Sequence, residues 1–121
     1  MSKLFYFNLK DFLVKPRFYL PIFVALLLNV LIWLFLIIKI KPSVNWIPLH
    51  YNVYFGIDFL GPWVYIFVYP FLGLLIIFIN SFISIKLLIL EPILAKILIW
   101  SALLVQIIII MSLFFLALNN F

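Results

Sequence analysis

Three uninterrupted charge-free stretches, Phe18 to Ile38, Phe59 to Ile85 and Ile97 to Phe121, constrain this chain more than any other feature of its sequence. Each is at least as long as the roughly 20 residues needed to cross the hydrocarbon of a bilayer. Backbone amides in hydrocarbon must find partners within their own segment, so single spans joined by short connections must be helices. The sequence therefore predicts an all-α integral membrane protein with three transmembrane helices, at about 18–39, 63–85 and 93–118. A cytoplasmic leader over 1–17 precedes them, and an aromatic-rich outer loop over 41–62 joins the first two. No internal repeat or Gly/Ser linker divides the 121 residues, which read as a single membrane domain.

Composition closes off the soluble alternative. The chain is 70% hydrophobic and 9% charged, against about 25% charged residues in an ordinary soluble domain. A small globule leaves much of its surface exposed and has no means of hiding this much Leu, Ile and Phe from water. Cysteine is absent, which removes disulfides, thiolate metal sites, cysteine nucleophiles and a lipidated-cysteine anchor.

Charge placement orients the spans. Lys3, Lys10, Lys15 and Arg17 precede the first span, Lys86 and Lys96 lie between the second and third, and Lys39 and Lys41 alone follow the first. Cationic loops stay cytoplasmic, so the N-terminus is expected inside and the outer loop and C-terminus outside. The net charge of +5 is thus a topogenic signal and not a nucleic-acid footprint, for no basic run or nucleic-acid-binding motif accompanies it. The first span is too long for a cleaved signal peptide and is followed by no small-residue cleavage site, so it reads as a signal-anchor helix.

Prolines punctuate the spans. Pro21 is expected in the first turn of the first helix, where a missing N–H costs little. Pro70 is expected about two turns into the second, where it bends the helix. Glu91 and Pro92 open the third with an acid beside the positive dipole end and a proline at the first helical position. Glu91 is also within reach of a screened ion pair with Lys86 or Lys96. In the leader, Phe5, Leu9 and Phe12 with Tyr6 and Leu13 form an apolar stripe opposite Asn8, Lys10, Asp11 and Lys15. That pattern admits an amphipathic helix in the cytoplasmic interface or a plain cationic leader that only sets orientation.

The longest segment outside the spans, Lys41 to Trp63, holds the only histidine. Its prolines and glycines oppose a continuous helix, while Trp46, Tyr51, Tyr54, Phe55 and Trp63 are residues that settle at headgroup depth. Trp100 fits the opposite interface and Trp33 lies deeper. Within the loop, Pro48-Leu49-His50-Tyr51-Asn52 is followed by Gly56-Ile57-Asp58 and then by a helix with Pro70 in its first half. This arrangement resembles the domain of unknown function at the N-terminus of SdpI-type bacteriocin-immunity membrane proteins, in which a P-x-H-aromatic-N-x-x-G-x-x-D loop joins two helices. The resemblance covers Leu31 to Asn80. The Asn52-to-Asp58 distance matches, and Gly56 is displaced by one position. It implies a membrane-embedded loop motif at Pro48, His50, Asn52, Gly56 and Asp58, and a bacterial plasma membrane as the setting.

Read from the residues alone, His50 and Asp58 offer a titratable pair or the structural service of bonding loop carbonyls and capping the second helix. Zinc needs three or four ligands, and the sequence supplies neither a second His nor a Cys, so no metal or cofactor is expected. No nucleophile triad, H-E-x-x-H, paired-carboxylate or phosphate-cradling pattern occurs, so the chain is not expected to be an enzyme. Inside the spans the polar residues are Asn29, Asn80, Ser81, Ser84, Ser101, Gln106 and Ser112. Gly73, Asn80 and Ser84 share one face of the second helix. Amides in hydrocarbon gain about 0.6–2 kcal/mol from an interhelical partner, so Asn29, Gly73, Asn80, Ser84 and Gln106 are read as helix-packing residues. A transport path would ordinarily use ionisable groups at depth, and every one of these lies at a boundary.

Three functional readings follow. The first is a non-enzymatic interaction or structural subunit that presents its outer loop to a protein or lipid partner. The second is an oligomeric transporter or channel-like subunit, with Asn29, Asn80 and Gln106 lining a shared wet interface. The third is an immunity-like factor. The partners expected are the bilayer and a membrane protein or second copy, with no nucleic acid.

Overall fold

The computed structural model describes residues 3–42, 44–52 and 56–120, without the side chains of residues 48, 50–52, 56–59 and 119–120. It contains helices α1 (Lys3–Val14), α2 (Pro16–Lys39), α3 (Val68–Leu87) and α4 (Pro92–Asn120). Strands β1 (Ile47–Asn52) and β2 (Gly56–Gly61) lie between α2 and α3, and a 3-10 helix over Trp63–Phe67 leads into α3. Three helices are long and apolar enough to cross a membrane: Pro16–Lys39, Trp63–Leu87 and Pro92–Leu118.

Proline sets most of the boundaries. Lys15 adopts an extended conformation, φ −93° and ψ 116°, because the ring of Pro16 crowds the helical region for its predecessor. α1 ends there and α2 starts with Pro16 as its first residue. The start expected at Phe18 therefore moves upstream, and Pro21 falls beyond the first turn, inside the helix and buried. Pro70 keeps its place within the apolar span Trp63–Leu87, but the turns ahead of it are 3-10 and not α. Pro70 is the third residue of α3. Without an N–H, Pro70 has nothing to give Ile66 O, the acceptor four residues earlier; the Val68 N–H turns to Ile66 and Tyr65 instead, and the preceding turn tightens to 3-10. Pro92 opens α4, with the Ala95 N–H donating to Glu91 O at 3.0 Å.

The segment read as a loop folds as an antiparallel hairpin. Its ladder pairs Ile47 with Gly61, Pro48 with Leu60, His50 with Phe59, Tyr51 with Ile57 and Asn52 with Gly56. Two register shifts leave Leu49 as an extra residue on β1 and Asp58 on β2. A two-stranded hairpin is marginal by itself, and this one rests on the bundle. Leu49 is buried, and its carbonyl accepts a hydrogen bond from the Tyr69 hydroxyl.

The interior has two apolar clusters. One, at the α1 end, gathers Phe12, Phe18, Ile22, Ile77 and Ile99 around three alanines, Ala25, Ala95 and Ala102. The other, at the hairpin end, contains Ile32, Leu36, Leu49, Ile66, Leu113 and Leu116. α1 packs on the first cluster by Phe12, with Phe5 and Leu9 partly buried beside it. Asn8, placed by its sequence with the polar residues, is buried instead, its Nδ2 donating to Lys86 O at 3.3 Å. Tyr6 and Leu13, expected on the apolar stripe, are exposed.

Candidate functional site

Between the two apolar clusters lies a layer of polar side chains contributed by all three long helices. Asn29 of α2 is its hub. Its Nδ2 donates to Gln106 Oε1 at 2.9 Å and to Pro70 O at 3.0 Å. Its Oδ1 accepts from Trp33 Nε1, one turn along the same helix, at 3.0 Å. Gln106 of α4 donates through Nε2 to Gly73 O at 3.0 Å and to its own Ala102 O at 3.3 Å. Asn29 and Gln106 are both buried. A single layer thus connects α2 to α3, α2 to α4 and α4 to α3.

Gly73 makes this approach possible. A Cβ there would sit 2.7 Å from Gln106 Oε1, 2.9 Å from Ile109 Cδ1 and 3.1 Å from Asn29 Nδ2. The first two separations are shorter than carbon tolerates and the third is tight, so a Cβ would push Gln106 and Ile109 from the places that hydrogen bonding and packing give them. Close approach of helices at small residues is the usual way membrane helices gain dispersion energy.

Toward the α1 end the same face of α3 continues with Asn80, whose Nδ2 donates to Leu98 O at 3.0 Å, and Ser84, whose Oγ donates to Ala95 O at 3.0 Å. All five residues read as packing positions, Asn29, Gly73, Asn80, Ser84 and Gln106, therefore lie at helix–helix contacts. The remaining serines do other things. Ser101 bonds Ile97 O of its own helix, Ser112 is exposed, and Ser81 Oγ is buried without a hydrogen-bond partner. The single ion pair among the described residues joins Lys15 to Asp11 at 3.8 Å, so Glu91 pairs with neither Lys86 nor Lys96.

Two participants escaped the reading from sequence. Trp33 reads by type as an aromatic lying deeper than the interface, although its place four residues after Asn29 puts it on the same face, where a buried indole N–H needs an acceptor. It also stacks on Phe67 at 5.8 Å between ring centroids. Tyr69 carried no signal beyond its aromatic character, since its role depends on where the hairpin folds back.

The loop motif lies on the hairpin: Pro48, His50 and Asn52 on β1, Gly56 and Asp58 on β2. The register sets His50 opposite Phe59, next to the bulged Asp58. The side chains of all five, like residues 53–55, lie outside the described residues. At the foot of the hairpin Leu49, Tyr65, Val68, Tyr69 and Leu72 border a groove of ≈ 320 Å³. A second groove of ≈ 250 Å³, between α2 and α4, is bounded by Leu31, Ile32, Phe35, Ile110, Leu113 and Phe114.

No cluster of three or more metal-ligating side chains occurs among the described residues. The polar layer holds amides, an indole and carbonyls, with no group that changes charge in the physiological range. It can hold helices in register, and its described donors are spent on doing so. Comparison of the chain with protein-family models, with curated proteins and with solved structures finds no match.

Proposed function

We propose that this chain is a non-enzymatic membrane interaction protein whose three-helix bundle holds the β1–β2 hairpin at one face of the membrane for a membrane-protein or lipid partner. The observation that supports it is the division of labour among polar groups. Those at depth, Asn29, Gln106, Asn80 and Ser84, bond to neighbouring helices, while His50 and Asp58 lie on a hairpin anchored through Leu49 and Tyr69. A transporter-like subunit would need Asn29, Asn80 and Gln106 to face a wet path. Their engagement within one chain favours the interaction reading.

The hairpin faces outward in this reading and the N-terminus inward. Lys3, Lys10, Lys15, Arg17, Lys86 and Lys96 belong to the α1 end, and only Lys39 and Lys41 to the hairpin end, the asymmetry expected of a cytoplasmic and an external side. The resemblance of the hairpin motif to SdpI-type proteins supports a bacterial plasma membrane as the setting.

A photo-reactive residue replacing exposed Leu60 tests the proposal in native membranes, with one replacing exposed Ile108 on α4 as the control. The expected result is a discrete adduct from position 60, absent from position 108, and lost in His50→Ala and Asp58→Ala variants that still insert. Identical adducts from both positions, or adducts indifferent to both substitutions, would overturn it.

A further inference from the structure

The end of the molecule opposite the hairpin carries a surface that the role proposed above leaves unused. α1 turns Asn8 and Phe12 onto the bundle. At roughly 100° per residue, its outward arc then runs through Leu13, Tyr6, Lys10, Lys3, Val14 and Phe7. The four apolar members are 63%, 65%, 67% and 60% exposed for Leu13, Tyr6, Val14 and Phe7 respectively, so the described residues leave most of each uncovered. A single residue, Lys15, separates α1 from the first span. The helix is therefore tethered at the depth where acyl chains give way to headgroups. An apolar arc interrupted by lysines suits that depth, because rings and branched chains enter the acyl boundary while lysine stems extend toward phosphate.

Charge selects the occupant. Six bases belong to this end, against two acids, Asp11 and Glu91. Lys3, Lys10, Arg17 and Lys86 are exposed. Two of them lie over aromatic rings at the bundle's edge, Arg17 over Phe18 at 5.3 Å and Lys86 over Phe82 at 4.7 Å. Phe82 in turn packs 5.7 Å from Phe5 of α1, so a base of α3 and the docked helix share one border. A second copy of the chain would bring six bases against six, whereas anionic headgroups neutralise them.

We propose that the α1 end is a docking surface for anionic phospholipid, with Lys3, Lys10, Arg17 and Lys86 contacting headgroup phosphates and Tyr6, Phe7, Leu13 and Val14 seated among the adjoining acyl chains. Bound lipid holds α1 flat against the bundle and recruits acidic lipid around the protein. Each base near an anionic surface contributes up to about a fivefold preference at low salt.

The test uses the full chain in nanodiscs of phosphatidylcholine and phosphatidylglycerol, with spin-labelled versions of each lipid as probes. Motionally restricted phosphatidylglycerol should exceed phosphatidylcholine severalfold, and the preference should collapse in about 1 M salt, where the screening length falls to roughly 3 Å. Combined Lys3→Gln, Lys10→Gln, Arg17→Gln and Lys86→Gln substitution should abolish it, and Lys10→Gln alone, which disturbs no packing contact, should lower it about two- to fivefold. Lys39→Gln with Lys41→Gln at the other end should leave it unchanged. Equal restriction of the two lipids, or a preference that survives the four substitutions or disappears with Lys39 and Lys41, overturns the proposal. So does a photo-reactive residue at position 10 that captures only a second copy.

Discussion

The two ends of the bundle are built differently. At the α1 end, three fully buried alanines let helices approach closely, and Asn80 and Ser84 reach from α3 directly onto carbonyls of α4. At the hairpin end the buried residues are Ile and Leu, two grooves open between elements, and part of the interior is supplied by Leu49 from outside the helices. The first end is closed by helix on helix, the second by a separate lid of two strands. Both ends thus borrow a buried side chain from outside the three long helices, Phe12 from a short helix at one and Leu49 from a strand at the other.

The Asn29–Gln106 layer separates these regimes, so breaking it should affect both. Gly73→Leu is expected to have the largest effect, about 3 kcal/mol of lost stability in detergent unfolding followed by circular dichroism, because it drives carbon into Gln106, Ile109 and Asn29 at once. Unfolding indistinguishable from the wild type would mean that α3 and α4 are not in contact at this level. Asn29→Ala comes next. It strands Trp33 Nε1 and Gln106 Oε1 away from water, at a cost of about 1–2 kcal/mol, and amide exchange should quicken at both ends alike. Faster exchange at one end only would show that the layer belongs to that end.

The existence, number and helical character of the spans were legible because hydrocarbon thickness converts an apolar run directly into a helix. The shapes between them were not. Trp46 to Trp63 lacks the alternation that announces strands and contains two prolines and two glycines, so its backbone pairing depends on the platform beneath it. The α-helical starts at Pro16 and Val68 lie off the hydropathy boundaries for a local reason. Hydropathy marks where a span is apolar, whereas proline's ring and its missing N–H decide where the α-helix begins. Asn8 shows the complementary limit: an amide reads as polar along the chain, yet it is buried with its Nδ2 on Lys86 O and its Oδ1 without a hydrogen-bond partner among the described residues. The packing positions in the spans were readable as residue types at depth, but their partners are largely backbone carbonyls of Pro70, Gly73, Ala95 and Leu98, which have no signature in a sequence.

Two smaller changes sharpen the contrast by touching one end each. Ser84→Ala removes one bond to Ala95 O, leaving a carbonyl that is still engaged within α4, and should cost about 0.6 kcal/mol. Its effect on amide exchange should stay within α3 and α4 near their connection. A change that spreads to the hairpin would show the two ends to be one cooperative unit.

Tyr69→Phe should have the smallest effect on global stability and the most localised one. The ring keeps its place in the hairpin-end cluster, while the hydrogen bond from its hydroxyl to Leu49 O disappears. That bond is a link from a membrane helix to a strand, and Leu49 is the extra residue at a register shift of β1, where no ladder partner stands in for it. Global unfolding should move by less than about 0.5 kcal/mol. Amide exchange in the β1–β2 ladder should accelerate severalfold, with α1 and the Asn80–Ser84 contacts unchanged, as a marginal hairpin loses its mooring. If the hairpin amides exchange as before, burial of Leu49 alone holds the lid, and the two ends differ in the size of their side chains more than in how they are closed.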